Sequence, residues 1–225
     1  MTKAILFNAP KMAGKDVAIN HLRGVGIPLV VREAKDKLHL LTREFFCLSE
    51  KRYWEIYNDR SLKEEALEDF QVYLTVEEGK ALEKVLGCNF GNIYSDKNSA
   101  SRMSKSPYWN LSIREAMIYV SEIICKPRFG KNYFGESRAK SVKGGEIITD
   151  GSTGFQEELP PLIERLGQEN IILLRVHRDG CTFEGDSRNW IPDGVITNTV
   201  DVYNNGSEES YLRQVENIVR GFLNG

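Results

Sequence analysis

Short runs of consecutive apolar residues recur along the chain: Ile5-Leu6-Phe7, Leu29-Val30-Val31, Ile147-Ile148 and the longest, residues 171–176, broken only by Arg175. Runs of this length without alternation read as parallel strands buried on both faces. Val195-Ile196-Thr197 and Asp201-Val202-Tyr203 are shorter strand candidates. Between the runs the apolar spacing becomes helical. Val17, Ile19 and Leu22 share a face before Gly24-Val25-Gly26-Ile27-Pro28 stops the helix, and Tyr211, Val215, Ile218 and Phe222 share the face of a closing helix. Strands alternating with helices predict a doubly wound α/β fold with a largely parallel sheet.

One region departs from the alternation. From 34 to about 87 the apolar residues fall at three- and four-residue spacing (Leu38, Leu41, Phe45; Leu62, Ala66, Phe70), with no strand pattern. Capping boxes at Ser61/Glu64 and Thr75/Glu78 mark helix starts there. Residues 88–108 lack periodicity, carry Tyr94, Lys97, Arg102, Lys105 and Tyr108, and read as a long functional loop or a solvated one. A third box, Ser112/Glu115, opens a helix with Ile113, Met117, Val120 and Ile124 on one face, ended by Pro127. A fourth, Thr153/Gln156, opens the helix after the strand that ends in Asp150. The organisation expected is one domain, residues 1–225, with a helical substrate-holding insertion at about 34–110 and a polar, irregular lid at about 178–193.

Composition narrows the class without naming it. Across 225 residues, 28% are charged and 41% hydrophobic, with a formal net charge of −2. That is an ordinary globular balance with no basic excess, so no stable nucleic-acid binding is expected. The cysteines, Cys47, Cys88, Cys125 and Cys181, form no C-x-x-C pair and read as reduced, partly buried thiols. No apolar run reaches membrane-spanning length, and the N-terminus lacks the apolar core of a signal peptide, which places the protein in the cytoplasm.

The candidate chemistry begins at the end of the first strand. Residues 9–16, Ala9-Pro10-Lys11-Met12-Ala13-Gly14-Lys15-Asp16, follow an apolar run and open a helix, which is the layout of a phosphate-cradling P-loop. Ala9 stands for the first Gly of that pattern and Asp16 for its final hydroxyl residue. Gly14 lets the backbone approach a phosphate, Lys15 brings a point charge, and the amides of residues 13–16 lie at a helix N-terminus that favours an anion. Asp150, at the end of a strand beside such a loop, is where a magnesium ligand is wanted. Arg178 and Arg188, in the lid segment, suit neutralisation of a transferring phosphoryl group, or else make surface ion pairs.

Several separated motifs, in order, resemble the bacteriophage deoxynucleoside monophosphate kinases, P-loop kinases of the nucleoside monophosphate kinase type. They are the loop ending Gly14-Lys15-Asp16; Ala34-Lys35-Asp36-Lys37-Leu38-His39; Ser112-Ile113-Arg114-Glu115-Ala116 with Val120-Ser121-Glu122, Lys126-Pro127, Phe129-Gly130-Lys131 and Tyr133-Phe134-Gly135; the strand ending in Asp150; Val176-His177-Arg178; and Asn204-Asn205-Gly206-Ser207. In that family and its phosphomevalonate kinase relatives the loop commonly ends Gly-Lys-Asp, so Asp16 fits. Ala9 and Ile113 depart from the family's Gly and Pro.

The resemblance implies transfer of the γ-phosphoryl of ATP to a deoxynucleoside 5′-monophosphate, with Mg²⁺. Lys15 and residues Ala13, Gly14, Asp16 and Val17 would bind the donor, with Asn204 or Asn198 on the adenine side. Asp16 and Asp150 would hold the metal directly or through water. Arg114 would grip the acceptor phosphate, with Lys37 and Lys126 as further candidates, and Glu122 would meet the acceptor's base or sugar or else form an ion pair. Arg178 and Arg188 would act from the lid. A homodimer is compatible with the family. The same scaffold also serves other phosphorylated acceptors such as phosphomevalonate, and a non-catalytic nucleotide-binding protein would keep the cradle alone.

Overall fold

The computed structural model describes residues 1–74, 76–86, 108–184 and 186–225. Nearly all of the expected loop at 88–108, with Tyr94, Lys97, Arg102 and Lys105, lies outside them, as do Thr75 of the second capping box and Gly185. The chain forms two compact units, residues 1–36 with 132–225, and residues 37–131.

In chain order the first unit begins with β1 (Lys3–Asn8), α1 (Lys15–Gly24) and β2 (Leu29–Val31). Helix α2 (Lys35–Phe45) leads into the second unit, which continues with α3 (Glu50–Asn58), β3 (Gln71–Tyr73), α4 (Val76–Leu86), β4 (Tyr108–Asn110), α5 (Ile113–Ile118), a π-helical stretch (Tyr119–Cys125) and α6 (Lys126–Phe129). The first unit resumes with α7 (Tyr133–Ser141), β5 (Ile147–Asp150), α8 (Pro160–Leu166), β6 (Ile171–His177), β7 (Asn198–Tyr203) and α9 (Glu208–Asn224).

The first unit is an α/β layer structure. Its five strands run in the order β2-β5-β1-β6-β7, every neighbour pair parallel. Side chains alternate across the sheet, and both faces are covered. Ile5, Phe7, Ile172, Leu174, Val176 and Val202 pack with Ala18, Ile19 and Leu22 of α1 and Tyr211, Val215 and Val219 of α9. Ala4, Leu6, Ile148 and Leu173 pack on the opposite face with Val142, Leu159 and Leu162. Strand β1 lies at the centre, so the loop that follows it opens at the carboxyl edge of the sheet, where α/β proteins bind ligands. Val17 points outward rather than joining the core face, at 42% exposure.

In the second unit the expectation of an all-helical insertion fails. Gln71, Val72 and Tyr73 pair antiparallel with Asn110, Trp109 and Tyr108. Each strand is only three residues long, too short to show a period, and their partnership bridges a long sequence gap. The unit also extends further than the expected 34–110, running to Lys131. Ser61 and Glu64 open no helix: Asp59 instead accepts hydrogen bonds from the amide and hydroxyl of Ser61, and the chain turns there. Ser112/Glu115 is realised in both directions, Glu115 N–H donating to Ser112 Oγ at 3.2 Å and Ser112 N–H to Glu115 Oε2 at 2.8 Å.

That helix does not end at Pro127. Lys126 N–H bonds the Ser121 carbonyl five residues back, and helical structure continues to Gly130, which takes φ 93°. Widening the turn ahead of Pro127 relieves the clash of its ring with the carbonyl four residues back. The wider turn also moves the buried face: Ile113 and Val120 are buried as expected, but Ala116, Tyr119, Ser121 and Cys125 are buried with them, while Met117 and Ile124 are only half-buried.

Two further expectations are corrected in the first unit. Thr153 does not cap a helix: a 3₁₀ turn at Gln156–Glu158 follows it, and α8 starts at Pro160. Residues 195–197 form no strand, and β7 begins at Asn198. Among the described residues no helix is long and apolar enough to cross a membrane. Cys47, Cys125 and Cys181 are unpaired thiols, and Cys88 lies outside the described residues.

Because the Ser112 box is closed in both directions, Ser112→Ala removes one donor–acceptor pair and loosens the other, a loss of about 0.5–2 kcal/mol. Equilibrium denaturation of this variant beside Ser61→Ala checks the assignment, since Ser61→Ala removes no helix cap.

Candidate functional site

The loop between β1 and α1 is shaped by two residues in the left-handed region, Met12 at φ 65° and Gly14 at φ 107°. Such alternation turns successive amides toward one side and forms an anion-binding concavity. Gly14 is required for a second reason. A Cβ there would stand 2.4 Å from Asn204 Nδ2 and 3.3 Å from Tyr211 Cε1. Helix α1 has no side-chain cap, and its first backbone bond runs from Ala18 N–H to the Gly14 carbonyl. The amides of residues 15–17 therefore present the helix N-terminus to the loop. Ala9 is completely buried in the core, so the methyl group replacing glycine is accommodated by packing.

The loop's carbonyls turn the other way and meet donors from the end of the chain. Arg178 NH1 donates to Met12 O at 3.1 Å, Asn204 Nδ2 to Ala13 O at 2.8 Å and Tyr211 OH to Gly14 O at 3.3 Å. Of the two asparagines left open by the sequence, Asn204 reaches the loop; Asn198 lies at the opposite end of β7 and donates to Gln168 O and Ile171 O. Lys15 Nζ pairs with Asp16 Oδ2 at 2.8 Å.

Asp150 is buried beside this loop, in register with Leu6 of β1. Its Oδ2 meets Arg138 NH1 at 2.5 Å, and its Oδ1 accepts from Ser152 N–H and Ser152 Oγ, both at 2.7 Å. Arg138, equally buried, also donates to Glu158 O at 2.9 Å. Two more carboxylates lie near. Burial raises the Glu33 carboxyl above its ordinary value; Lys35, 3.0 Å away, works against this, and the charge of Asp150 adds to it. Asp36 is raised for the same first reason, against the Glu33 amide that donates to it and with the charge of Asp150.

These bonds test the fit of magnesium. Asp16, its side chain 79% exposed, is a hard oxygen donor at the mouth of the loop and fits. Asp150 does not fit as a direct ligand, because a guanidinium neutralises it and both of its oxygens are engaged. Among the described residues no three His, Cys, Asp or Glu side chains stand together as a metal-binding group.

The segment expected as a lid is tied down in its second half. Asn8, fully buried at the end of β1, donates to Thr153 O (2.9 Å) and Asn189 O (3.0 Å) and accepts from Ile191 N–H (2.9 Å). Asn189 N–H donates to Gly154 O at 3.0 Å. Arg188 pairs with Asp186 through NH2 at 2.6 Å. His177 stacks between Trp190 and Tyr203, with ring centroids 4.4 and 5.1 Å away. Asp201 accepts from His177 at 2.6 Å and from Nε and NH2 of Arg175, whose NH1 pairs with Asp193.

Lys15, Asp16, Asp150, Arg178, Arg188 and Asn204 thus all belong to the first unit. The acceptor-side candidates Lys37, Arg114, Glu122 and Lys126 belong to the second. There Glu122 is ion-paired with Lys126 at 2.7 Å, and exposed Arg114 lies 3.7 Å from Glu64. Sequence reasoning missed Asn8, Arg138 and Tyr211. Asn8 had a signal, a lone amide closing an otherwise apolar strand; Tyr211 was read only as core, and nothing in the spacing of α7 singles out Arg138. No family model matches the chain, and no curated protein matches it.

Removing Arg138 strands a buried carboxylate, so Arg138→Met should destabilise the fold by about 3–5 kcal/mol, and Arg138→Met with Asp150→Leu by less than Arg138→Met alone. Chemical denaturation of both variants checks the cycle. A second prediction concerns pH. Burial opposes ionisation of Asp201, but the hydrogen bonds from Arg175 and His177 outweigh it and hold its carboxyl below the ordinary value. Its stabilising contribution is therefore fully present above the unfolded value of about 3.9 and is lost as pH falls through the lower folded one. Asp201→Asn should flatten the acid limb of the stability–pH curve below about pH 4.

Proposed function

We propose that the protein is an ATP-dependent phosphotransferase of the P-loop kinase type, whose acceptor is a deoxynucleoside 5′-monophosphate. The observation that carries the donor half is the loop itself: left-handed Gly14 at the N-terminus of α1, amides turned to one side, Lys15 at the mouth, and the loop carbonyls braced by Arg178, Asn204 and Tyr211. This is a preorganised anion cradle, and its donors need no rearrangement when charge develops. The acceptor half rests on the resemblance of residues 112–135 to the phage kinases.

In this reading the amides at the start of α1 hold the β-phosphate, and Lys15 exchanges Asp16 for the oxygens between the β- and γ-phosphates. Release of Asp16 from Lys15 frees its carboxylate for the metal. Asp16 would hold Mg²⁺, which would supply positive charge to the donor's phosphates. Arg178, already fixed to Met12 O, and Arg188 neutralise the equatorial oxygens of the transferring group. Asp150, engaged by Arg138, sets the floor of the site rather than a ligand position. Arg114 grips the acceptor phosphate. A loose phosphoryl transition state asks for little covalent chemistry, so alignment and charge neutralisation are the protein's whole contribution.

An assay of ADP release with ATP, Mg²⁺ and each deoxynucleoside monophosphate tests the proposal; no release with any of them refutes it, and release only with phosphomevalonate moves the acceptor to the rival class. Lys15→Ala should lower kcat by about 10²-fold or more with an unchanged melting temperature. Arg114→Ala should raise the acceptor KM by about 10–100-fold and leave the ATP KM near its wild-type value. A change confined to the ATP KM would assign Arg114 to the donor side.

A further inference from the structure

The geometry points to Asn8 as a positioning residue that fixes the backbone carrying Arg188, an assignment that rests on the kinase reading for its catalytic consequence. Asn8 closes a strand otherwise apolar from Ala4 to Phe7, and its carboxamide is completely buried. A buried amide at that place is costly unless every group is satisfied. Here both Nδ2 hydrogens and the Oδ1 atom are engaged, and all three partners are backbone groups of other segments: Thr153 O beyond β5, then Asn189 O and Ile191 N–H. No other standard side chain reproduces the set. Asp presents a carboxylate to two carbonyls, Gln is one methylene too long, and an apolar residue leaves three backbone groups without partners.

The consequence falls on Arg188. Its immediate neighbour Asn189 is held from both sides, by Asn8 through its carbonyl and by Gly154 through its amide. The Arg188 stem lies so close over Gly154 that a Cβ there would come within 2.5 Å of Arg188 Cβ. The guanidinium, in contrast, is held through side chains of its own segment, paired with Asp186 and lying 5.6 Å from the centre of the Phe183 ring. Arg188 is therefore an arm with a fixed base, and it reaches a phosphoryl group by side-chain rotation away from Asp186. Closure of the whole 178–193 segment is not needed. Asn8 supplies the fixed base, one residue before the loop that would hold the donor.

Kinetics and hydrogen exchange on Asn8→Ala, Arg188→Ala and the double variant test this. Asn8→Ala should lower kcat by about 10–100-fold, the scale of a small misplacement of a catalytic group. Its ATP KM should stay within about threefold of wild type, since the cradle is intact. The double variant should be within about twofold of Arg188→Ala, because one effect acts through the other. Wild-type kcat in Asn8→Ala, measured well below its melting temperature, overturns the inference, as does a double variant whose loss is the product of the single losses. Should Asn8→Ala fail to fold, Gly154→Ala displaces the same arm with Asn8 in place and should give the same fall in kcat; normal turnover there overturns the inference equally. If the wild-type protein turns over no acceptor, the kinase reading has failed. Hydrogen exchange then decides for Asn8 alone: loss of protection confined to residues 186–191 in Asn8→Ala supports the tether, and unchanged protection overturns it.

Discussion

A loop that turns its amides toward an anion must leave its carbonyls facing the other way, and those carbonyls need donors of their own. The β1–α1 loop has this problem at Met12, Ala13 and Gly14. It is solved by Arg178, Asn204 and Tyr211, all at least 160 residues away in sequence. Their positions follow from the sheet order, which places β6 beside β1 and β7 beyond it, so that both strands end at the same edge. The C-terminal quarter of the chain completes the site: without β7 and α9 the loop would lose two of these donors and the packing of Tyr211, Val215 and Val219 under α1.

The same edge concentrates charge in a way that strand geometry dictates. Parallel strands end together, and here β5 ends in Asp150, with Glu33 and Asp36 following β2. Three carboxylates so near one another need compensation, and it comes from Arg138 and Lys35. The buried Arg138–Asp150 pair contributes little net stability, because desolvation offsets its attraction. What it provides is definition: with Asp150 fixed through both oxygens, the turn at residues 151–154 is fixed as well, and that turn supplies the Gly154 carbonyl that holds Asn189 and the Thr153 carbonyl that holds Asn8, whose carboxamide in turn holds Asn189 and Ile191.

How legible this was in the sequence depended on range. The parallel sheet was readable because its inner strands β5, β1 and β6 are largely buried on both faces and so carry apolar runs, whereas edge strand β7, with Val202 as its one buried residue, carries none. The Gly14-Lys15 loop was readable because its constraint is local. The β3–β4 pair was not, since three residues show no alternation and the partner strand lies more than thirty positions away. Pro127 misled for a different reason: a proline ends an α-helix, but a π-helical stretch upstream changes which carbonyl its ring meets. Of the four capping boxes only Ser112/Glu115 is realised among the described residues. Two failed where Asp59 captured Ser61 and where two prolines delayed α8, and Thr153 was left buried with its hydroxyl unpaired. Asn8 and Arg138 act through partners in other segments: a lone amide closing an apolar strand marked Asn8 without naming its partners, and nothing next to Arg138 marked it at all.

The motif at residues 112–116 shows how structure separates chemistry from scaffolding. Ser112 and Glu115 cap each other, and Ile113 and Ala116 are buried. Four of the five positions are thus accounted for by the start of one helix, and each would be required whatever the protein did. Arg114 is the exception. It faces outward from the first turn of α5, where a cation is unfavourable against the helix dipole, and its ion pair with Glu64 spans 3.7 Å between two exposed side chains, an arrangement worth little. Neither the reciprocal cap nor the buried face of α5 requires an arginine at this position, so Arg114 is the one residue of the motif that the start of the helix leaves unassigned.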